Sequence, residues 1–191
     1  MSQGAMIAGA IGVMICCSAS SAVMMMGGSE EPKVEPKVEP KAEPKVEPKH
    51  RYVRITRDKE GTDHWMNLAE VEVFSGGTNV AQGKTVTASS LYAPQFPHAN
   101  LVDGNKTNFA HTHNEALEYF QIDLGQDYEI EKVVIHNRSD CCQARLRKTK
   151  IQLSKSADMS SPKESRVVTT EEAPKATITW MPKLGAELTA A

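Results

Sequence analysis

The chain has no surplus of positive charge: 22 Lys and Arg stand against 24 Asp and Glu, a formal net charge of -2. Phosphate contacts need a basic surface, so a nucleic-acid partner is not expected. The one dense basic run, Arg145-Leu146-Arg147-Lys148-Thr149-Lys150, alternates well enough to read as the solvated face of a strand. Zinc spacing is also missing. The four cysteines form two adjacent pairs, Cys16-Cys17 and Cys141-Cys142, with neither Cys-x-x-Cys nor Cys/His ligand spacing. There is no nucleophile elbow, phosphate loop or His-Glu-x-x-His, so no enzyme is expected. No amphipathic helix of any length is apparent.

Charge is absent altogether from residues 4–28. That stretch is strongly apolar through Cys16 and Cys17, read as packing residues, and continues in small residues and methionines. About 20 apolar residues span a bilayer as a helix, so residues 1–28 read as a membrane anchor. The rival is a cleaved signal peptide, because residues 18–22 are small, although a basic n-region is missing. Residues 29–50 repeat Glu-Pro-Lys-Val or Glu-Pro-Lys-Ala. Proline at every fourth position forbids a helix and removes ladder donors, so an extended, disordered stalk follows. Residues 51–183 read as one folded domain, and residues 184–191 as a disordered tail.

Within that domain the pattern is β. Residues 52–55, 69–74, 119–124, 130–135 and 150–153 are apolar or alternate polar with apolar, and Gly, Asn, Asp and Pro punctuate the gaps. Weaker late strands are expected over 167–170 and 176–180. Short strands in a chain of this length predict an all-β, two-sheet sandwich or jelly roll.

The adjacent Cys141 and Cys142 allow two readings. Neighbouring cysteines reach disulfide geometry only by distorting the peptide between them. Bonded, they form a small rigid ring exposing an apolar knob; reduced, they are half-buried strand residues. Arg138 and Arg145 flank them, each offering a planar fork of donors suited to vicinal oxygens. An apolar bump between two donor forks suits a sugar, which has apolar faces and hydroxyl edges.

The run Arg138-x-Asp140-Cys141-Cys142-x-x-Arg145 resembles the sugar-binding signature of the fucolectins, or F-type lectins, within the F5/8 type C (discoidin) galactose-binding-like superfamily. Four further stretches are similar to that family. They are Tyr52-Val53-Arg54-Ile55 with residues 67–74, residues 79–84 with Ala88-Ser89-Ser90, residues 99–105, and His111-Thr112 leading to residues 119–125. Together they cover roughly residues 51–155. The resemblance implies a jelly roll in which His111, Arg138 and Arg145 hydrogen-bond α-L-fucose or a similar deoxyhexose. Cys141-Cys142, as a vicinal disulfide, would pack on an apolar edge of the sugar. His113 is an alternative to His111. Asp140 is expected to orient an arginine through a bidentate pair. A structural Ca2+ is implied, held by Asn100, Asp103, Asn105, Glu70 and the carbonyl of Ala69; Asp103-Gly104-Asn105 reads equally as a turn.

The chain departs from the family at several points. The segment holding Glu70 ends the family's domain but begins this one, so residues 52–55 and 69–74 are expected to complete the sandwich by permutation. The loop from Asp103 to His111 is short, Tyr119-Phe120 replaces a tryptophan pair, and Ala69 replaces a cysteine. Asn105-Lys106-Thr107 and Asn137-Arg138-Ser139 are glycosylation sequons, the second inside the expected site.

The resemblance implies fucosylated glycans or glycoproteins as partners, with many copies or a homo-oligomer raising avidity. The expected setting is a single-pass membrane protein with its lectin domain on a cell or virion surface, or a secreted lectin. The stalk lysines favour a cytosolic side, whereas a disulfide and a lectin require the opposite. Two other functions fit the same fold: a discoidin-like module binding protein or lipid, and a non-binding surface protein.

Overall fold

The computed structural model describes residues 48–57, 60–160 and 164–182. The anchor, nearly all of the stalk and the tail read from the sequence lie outside the described residues. Among the described residues no helix is long and apolar enough to cross a membrane.

The strands are β1 (Lys49–Thr56), β2 (Asn67–Ser75), β3 (Thr78–Asn79), β4 (Thr85–Ala88), β5 (Ala110–His111), β6 (Tyr119–Glu129), β7 (Lys132–Asn137), β8 (Lys150–Ser154), β9 (Glu164–Val167) and β10 (Thr177–Trp180), with short 3-10 helices at His98–Val102 and Gln143–Leu146. One antiparallel sheet runs β4-β6-β1-β8-β9 and the other β10-β7-β2-β3, with β5 also paired to β2. Strand alternation explains how they pack. On β1, Val53 lies between Ile122 and Leu153, and Ile55 between Phe120 and Ile151. These residues are buried in one cluster with Val71, Val73, Val133 and Ile135 of the second sheet. Each such side chain contributes roughly 1.5–3 kcal/mol of burial. On the outer face Arg54 donates to Gln121 Oε1 at 2.7 Å, and Arg51 grips the Asp123 carboxylate at 2.7 and 2.9 Å.

The first two strands take interior places, β1 between β6 and β8 and β2 between β7 and β3. The first strand begins at Lys49, inside the stretch read as stalk. Two strand boundaries also differ from expectation. Ile130 and Glu131 precede β7 because Glu131 turns back to β2, donating its amide to the Phe74 carbonyl and accepting from the amides of Gly76 and Gly77. The late strand falls on Glu164–Val167 instead of 167–170. Glu172 accepts from the Thr169 amide at 3.1 Å and draws that end into a turn, so β-branched propensity loses to a side-chain cap.

The basic run is not a strand face. Cys142 adopts φ 66°, the next residues wind into the 3-10 helix Gln143–Leu146, Lys148 adopts φ 57°, and β8 starts only at Lys150. This detour sets the position of Arg145.

Candidate functional site

Three elements end at one rim of the sandwich. β5 pairs with the start of β2, placing His111 opposite Asn67. β7 ends at Asn137, so Arg138 leaves the sheet at the same level. The 3-10 turn then returns Arg145 toward it. Buried Asn137 holds this turn to the sandwich, donating from Nδ2 to the carbonyls of Ala173 (2.7 Å), Gln143 (3.0 Å) and Lys175 (3.3 Å). The Asn137 sequon is therefore incompatible with a glycan in this fold: the nitrogen that would carry it is occupied, and the residue is 5 % exposed.

His111, Arg138 and Arg145 line one cleft of about 340 Å³, with Trp65, Tyr92 and Phe96 as its aromatic walls. Tyr92 lies 4.7 Å from the His111 ring centre, and Trp65 meets both Tyr92 (5.1 Å) and His111 (5.3 Å) edge-on. His113 is exposed, is not among the cleft's lining residues, and stands 6.2 Å from the Tyr92 ring. The short loop after Asp103 thus still carries His111 to both arginines.

Each polar group is held for a purpose that its surroundings make plain. The Nδ1 of His111 lies 2.7 Å from the Thr112 carbonyl, which fixes the proton there and leaves Nε2 as an acceptor. Burial, together with the nearby Arg138, Arg145 and His113, holds its pKa below the usual histidine value, despite that hydrogen bond. The Arg138 fork grips Asp140 at 2.5 and 2.7 Å, and its guanidinium lies 3.9 Å over the Phe109 ring. The Arg138 pair drops the Asp140 carboxyl to about 2. Asp140 thus faces the arginine and does not line the cleft. Asp63 stands 3.4 Å from Arg145 Nε, and the Arg145 guanidinium sits 5.9 Å from the Trp65 ring.

Cys141 and Cys142 are joined as a disulfide, with Cα atoms 3.8 Å apart. The ring sits in the turn between the two arginines but is not among the cleft's walls. The left-handed Cys142 points the chain into the 3-10 helix, and the aromatic residues supply the apolar surface instead. Trp65, Tyr92 and Phe96 escape the sequence reading because Trp65 precedes β2 while Tyr92 and Phe96 lie in the loop after β4, so nothing local links them. Arg57 escapes it as well. Its guanidinium, 4 % exposed, donates Nη1 to the carbonyls of Arg145 and Arg147 and Nη2 to the Asp63 carbonyl at 2.7 Å, fastening the turn from beneath.

Away from the cleft, among the positions expected to hold a cation, Glu70 faces the loop that carries Asp103. A bulge in the β2–β7 ladder leaves Ala69 without a register partner and buries Glu70 completely. Its Oε1 accepts from the Gly104 amide at 3.1 Å, while the buried Oε2 has no hydrogen-bond partner among the described residues. Burial pushes its carboxyl up to about 7, assisted by Asp103 and Glu72. An uncompensated buried carboxylate aimed at a loop is the chemistry a hard cation satisfies. The turn reading holds too: Asp103 Oδ1 accepts from the Asn105 amide at 2.8 Å, Asn105 Oδ1 accepts from Thr107, and Asn100 Nδ2 donates to the Phe109 carbonyl. Among the described residues no three His, Cys, Asp or Glu side chains come together as a metal site, so a cation beside Glu70 needs amide and carbonyl oxygens as well as carboxylates.

Comparison with known proteins agrees with this geometry. Residues 100–186 match the family model for the NedA-like, galactose-binding domain of the F5/8 type C group. Fucolectin-6 of Anguilla japonica is 34 % identical over 99 residues, covering 47 % of this chain and 53 % of that protein. Fucolectin of Anguilla anguilla is 36 % identical over 85 residues, covering 39 % and 54 %. The chain spans about half the length of the curated relatives it matches. No solved structure matches. Over the matched residues the chain is similar to a galactose-binding-like domain of the F5/8 type C group. More narrowly, it is similar in sequence to the fucolectins.

Proposed function

We propose that this domain is a lectin that binds terminal α-L-fucose, or a similar deoxyhexose, without catalysing a reaction. The convergence of one acceptor imidazole and two donor forks in an aromatic-walled cleft carries this reading. His111 Nε2 accepts a sugar hydroxyl proton, Arg138 and Arg145 donate to the oxygens on either side, and Tyr92 or Trp65 covers an apolar edge of the ring. The disulfide stiffens the turn that separates the arginines. An anchor over residues 1–28 and the stalk display the domain on a membrane, where many copies supply avidity. A panel of immobilised glycans tests this. The domain should be retained by fucose-terminated glycans alone and released by free L-fucose; binding to anionic vesicles with no glycan selectivity would contradict it.

The cleft also sets a pH profile. The pKa of His111 lies below its unfolded value of about 6.5. The neutral ring, and the stability that comes with it, is therefore present above that value and lost as pH falls through the folded one. Fucose affinity measured by calorimetry should be flat from neutral pH down to about 6.5 and fall only below it. A loss beginning well above that point would assign the acceptor to another group.

Glu70, with Asn100, Asp103, Asn105 and the Ala69 carbonyl, holds a structural Ca2+ that rigidifies the loop. Calcium in about hundredfold excess over its Kd should raise the melting temperature by roughly 5–10 °C. Without the ion, Glu70 has a raised pKa, so stability is full below its unfolded value near 4.5 and falls as pH rises toward 7. Glu70→Gln should abolish the calcium response and, in chelator, melt higher than the native protein at alkaline pH. A native melting temperature indifferent to calcium would remove the ion from the account.

A further inference from the structure

One hollow among the described residues exceeds the sugar cleft in volume. It holds about 650 Å³ and is lined by Thr56, Arg57, Glu60, Leu117, Lys148, Lys150 and Val167. A second hollow of about 280 Å³ shares Arg57, Glu60 and Lys148 with it and adds Arg147. Among the described residues four cations line this continuous shelf against one carboxylate, Glu60, which pairs with Lys148 at 2.6 Å. Lys150 has no carboxylate partner among the described residues. The floor is apolar: Leu117 and Val167 are 53 % and 51 % exposed. Leu117 (φ 64°) and Lys148 (φ 57°) both hold left-handed backbone conformations. Non-glycine residues adopt these at a cost, and such strain gathers where function requires it. Two strained residues on one shelf, one apolar and one cationic, mark it as more than a loose surface.

The shelf is joined to the cleft. Arg57, beneath it, donates to the carbonyls of both Arg145 and Arg147. Arg145 lines the cleft while Lys148 lines the shelf, and three peptide units keep their Cα atoms within about 11 Å. A substituent on the sugar next to the one in the cleft can span that distance.

We infer that the protein reads a glycan at two points, the deoxyhexose in the cleft and an acidic substituent, a sulfate ester or a carboxylate, on the shelf of Arg147, Lys148 and Lys150. The inference rests on the lectin reading. The apolar face of the sugar carrying the acid covers Leu117 and Val167, and its oxyanion meets the lysines. Exposed ion pairs are individually weak, so the shelf adjusts selectivity and leaves the cleft as the anchor.

Calorimetry on the full chain in detergent tests this with one fucosylated trisaccharide in neutral, sulfated and sialylated forms. An acidic form should bind about fivefold more tightly than the neutral one, and whichever acid shows the gain is the source. That preference should vanish in the Lys148→Gln/Lys150→Gln variant and at high salt, with neutral affinity unchanged. Lys150→Glu should reverse it. Equal affinity for all three forms, or a preference the double variant retains, overturns the inference. N-acetylglucosamine 6-sulfate and methyl α-L-fucoside, added separately, keep the two sites distinguishable. Shifts of the Lys148 and Lys150 amides with the sulfate alone support the shelf even if the fucoside does not bind. Shifts of the His111 region with the fucoside but none at the shelf with the sulfate count against the shelf and leave the cleft intact.

Discussion

Replacing Arg138 or Arg145 with alanine should weaken fucose binding about a hundredfold, measured by calorimetry on the folded variants. A hydrogen bond from a charged donor contributes about 1.5–3 kcal/mol, and a fork that loses two of them gives up roughly 3 kcal/mol, or two decades of affinity. The melting temperature should barely move. Arg138 is tied to the exposed Asp140 and to the Phe109 face, and Arg145 pairs only at 3.4 Å with Asp63. Exposed pairs of this kind contribute little to stability. Arg145→Lys refines the test. It keeps the charge but replaces a planar fork with a point donor, so most of the affinity should still be lost. Full affinity in Arg145→Lys would mean that charge, not geometry, does the binding.

Arg57→Met should have the largest effect on the fold, about 3 kcal/mol, read from the urea midpoint at constant m-value. The guanidinium is buried beneath the turn and satisfies the carbonyls of Asp63, Arg145 and Arg147, with Nη1 close to Arg145. Methionine fills part of the volume and leaves those acceptors dry. Fucose affinity should fall too, since Arg57 is a positioning residue for Arg145. The discriminating readout is that the loss of affinity persists well below the melting temperature, where the sandwich is fully folded. An Arg57→Met protein with native affinity would show that the turn keeps its shape unaided.

The polar half of the cleft was legible because it lies in two short motifs. His111-Thr112 precedes a recognisable strand, and Arg138 and Arg145 bracket an unusual dipeptide. The strands were legible in part, from alternation in residues 52–55, 69–74 and 119–124. The aromatic half was not. Trp65 meets Tyr92 and Phe96 only because β2, β5 and the loop after β4 end at one rim, and no local pattern records a meeting of two distant loops. Arg57 was hidden for a related reason, since capping backbone carbonyls from across the fold leaves no trace in sequence spacing. The basic run misled because its alternation imitates a strand, while Cys142 and Lys148 turn it out of the sheet. Asn137 shows the reverse case, a sequon whose amide the fold consumes.

The most direct measurement is a titration of methyl α-L-fucoside followed through the ring nitrogens of His111 and the Nε signals of Arg138 and Arg145. In the free protein Nδ1 should carry the proton and Nε2 none. On adding the sugar all three side chains should shift together along one saturable curve, and Arg138→Ala should move the His111 and Arg145 curve to about hundredfold higher sugar concentration. Saturable binding that leaves those three signals unmoved, or no binding at all, would contradict the account.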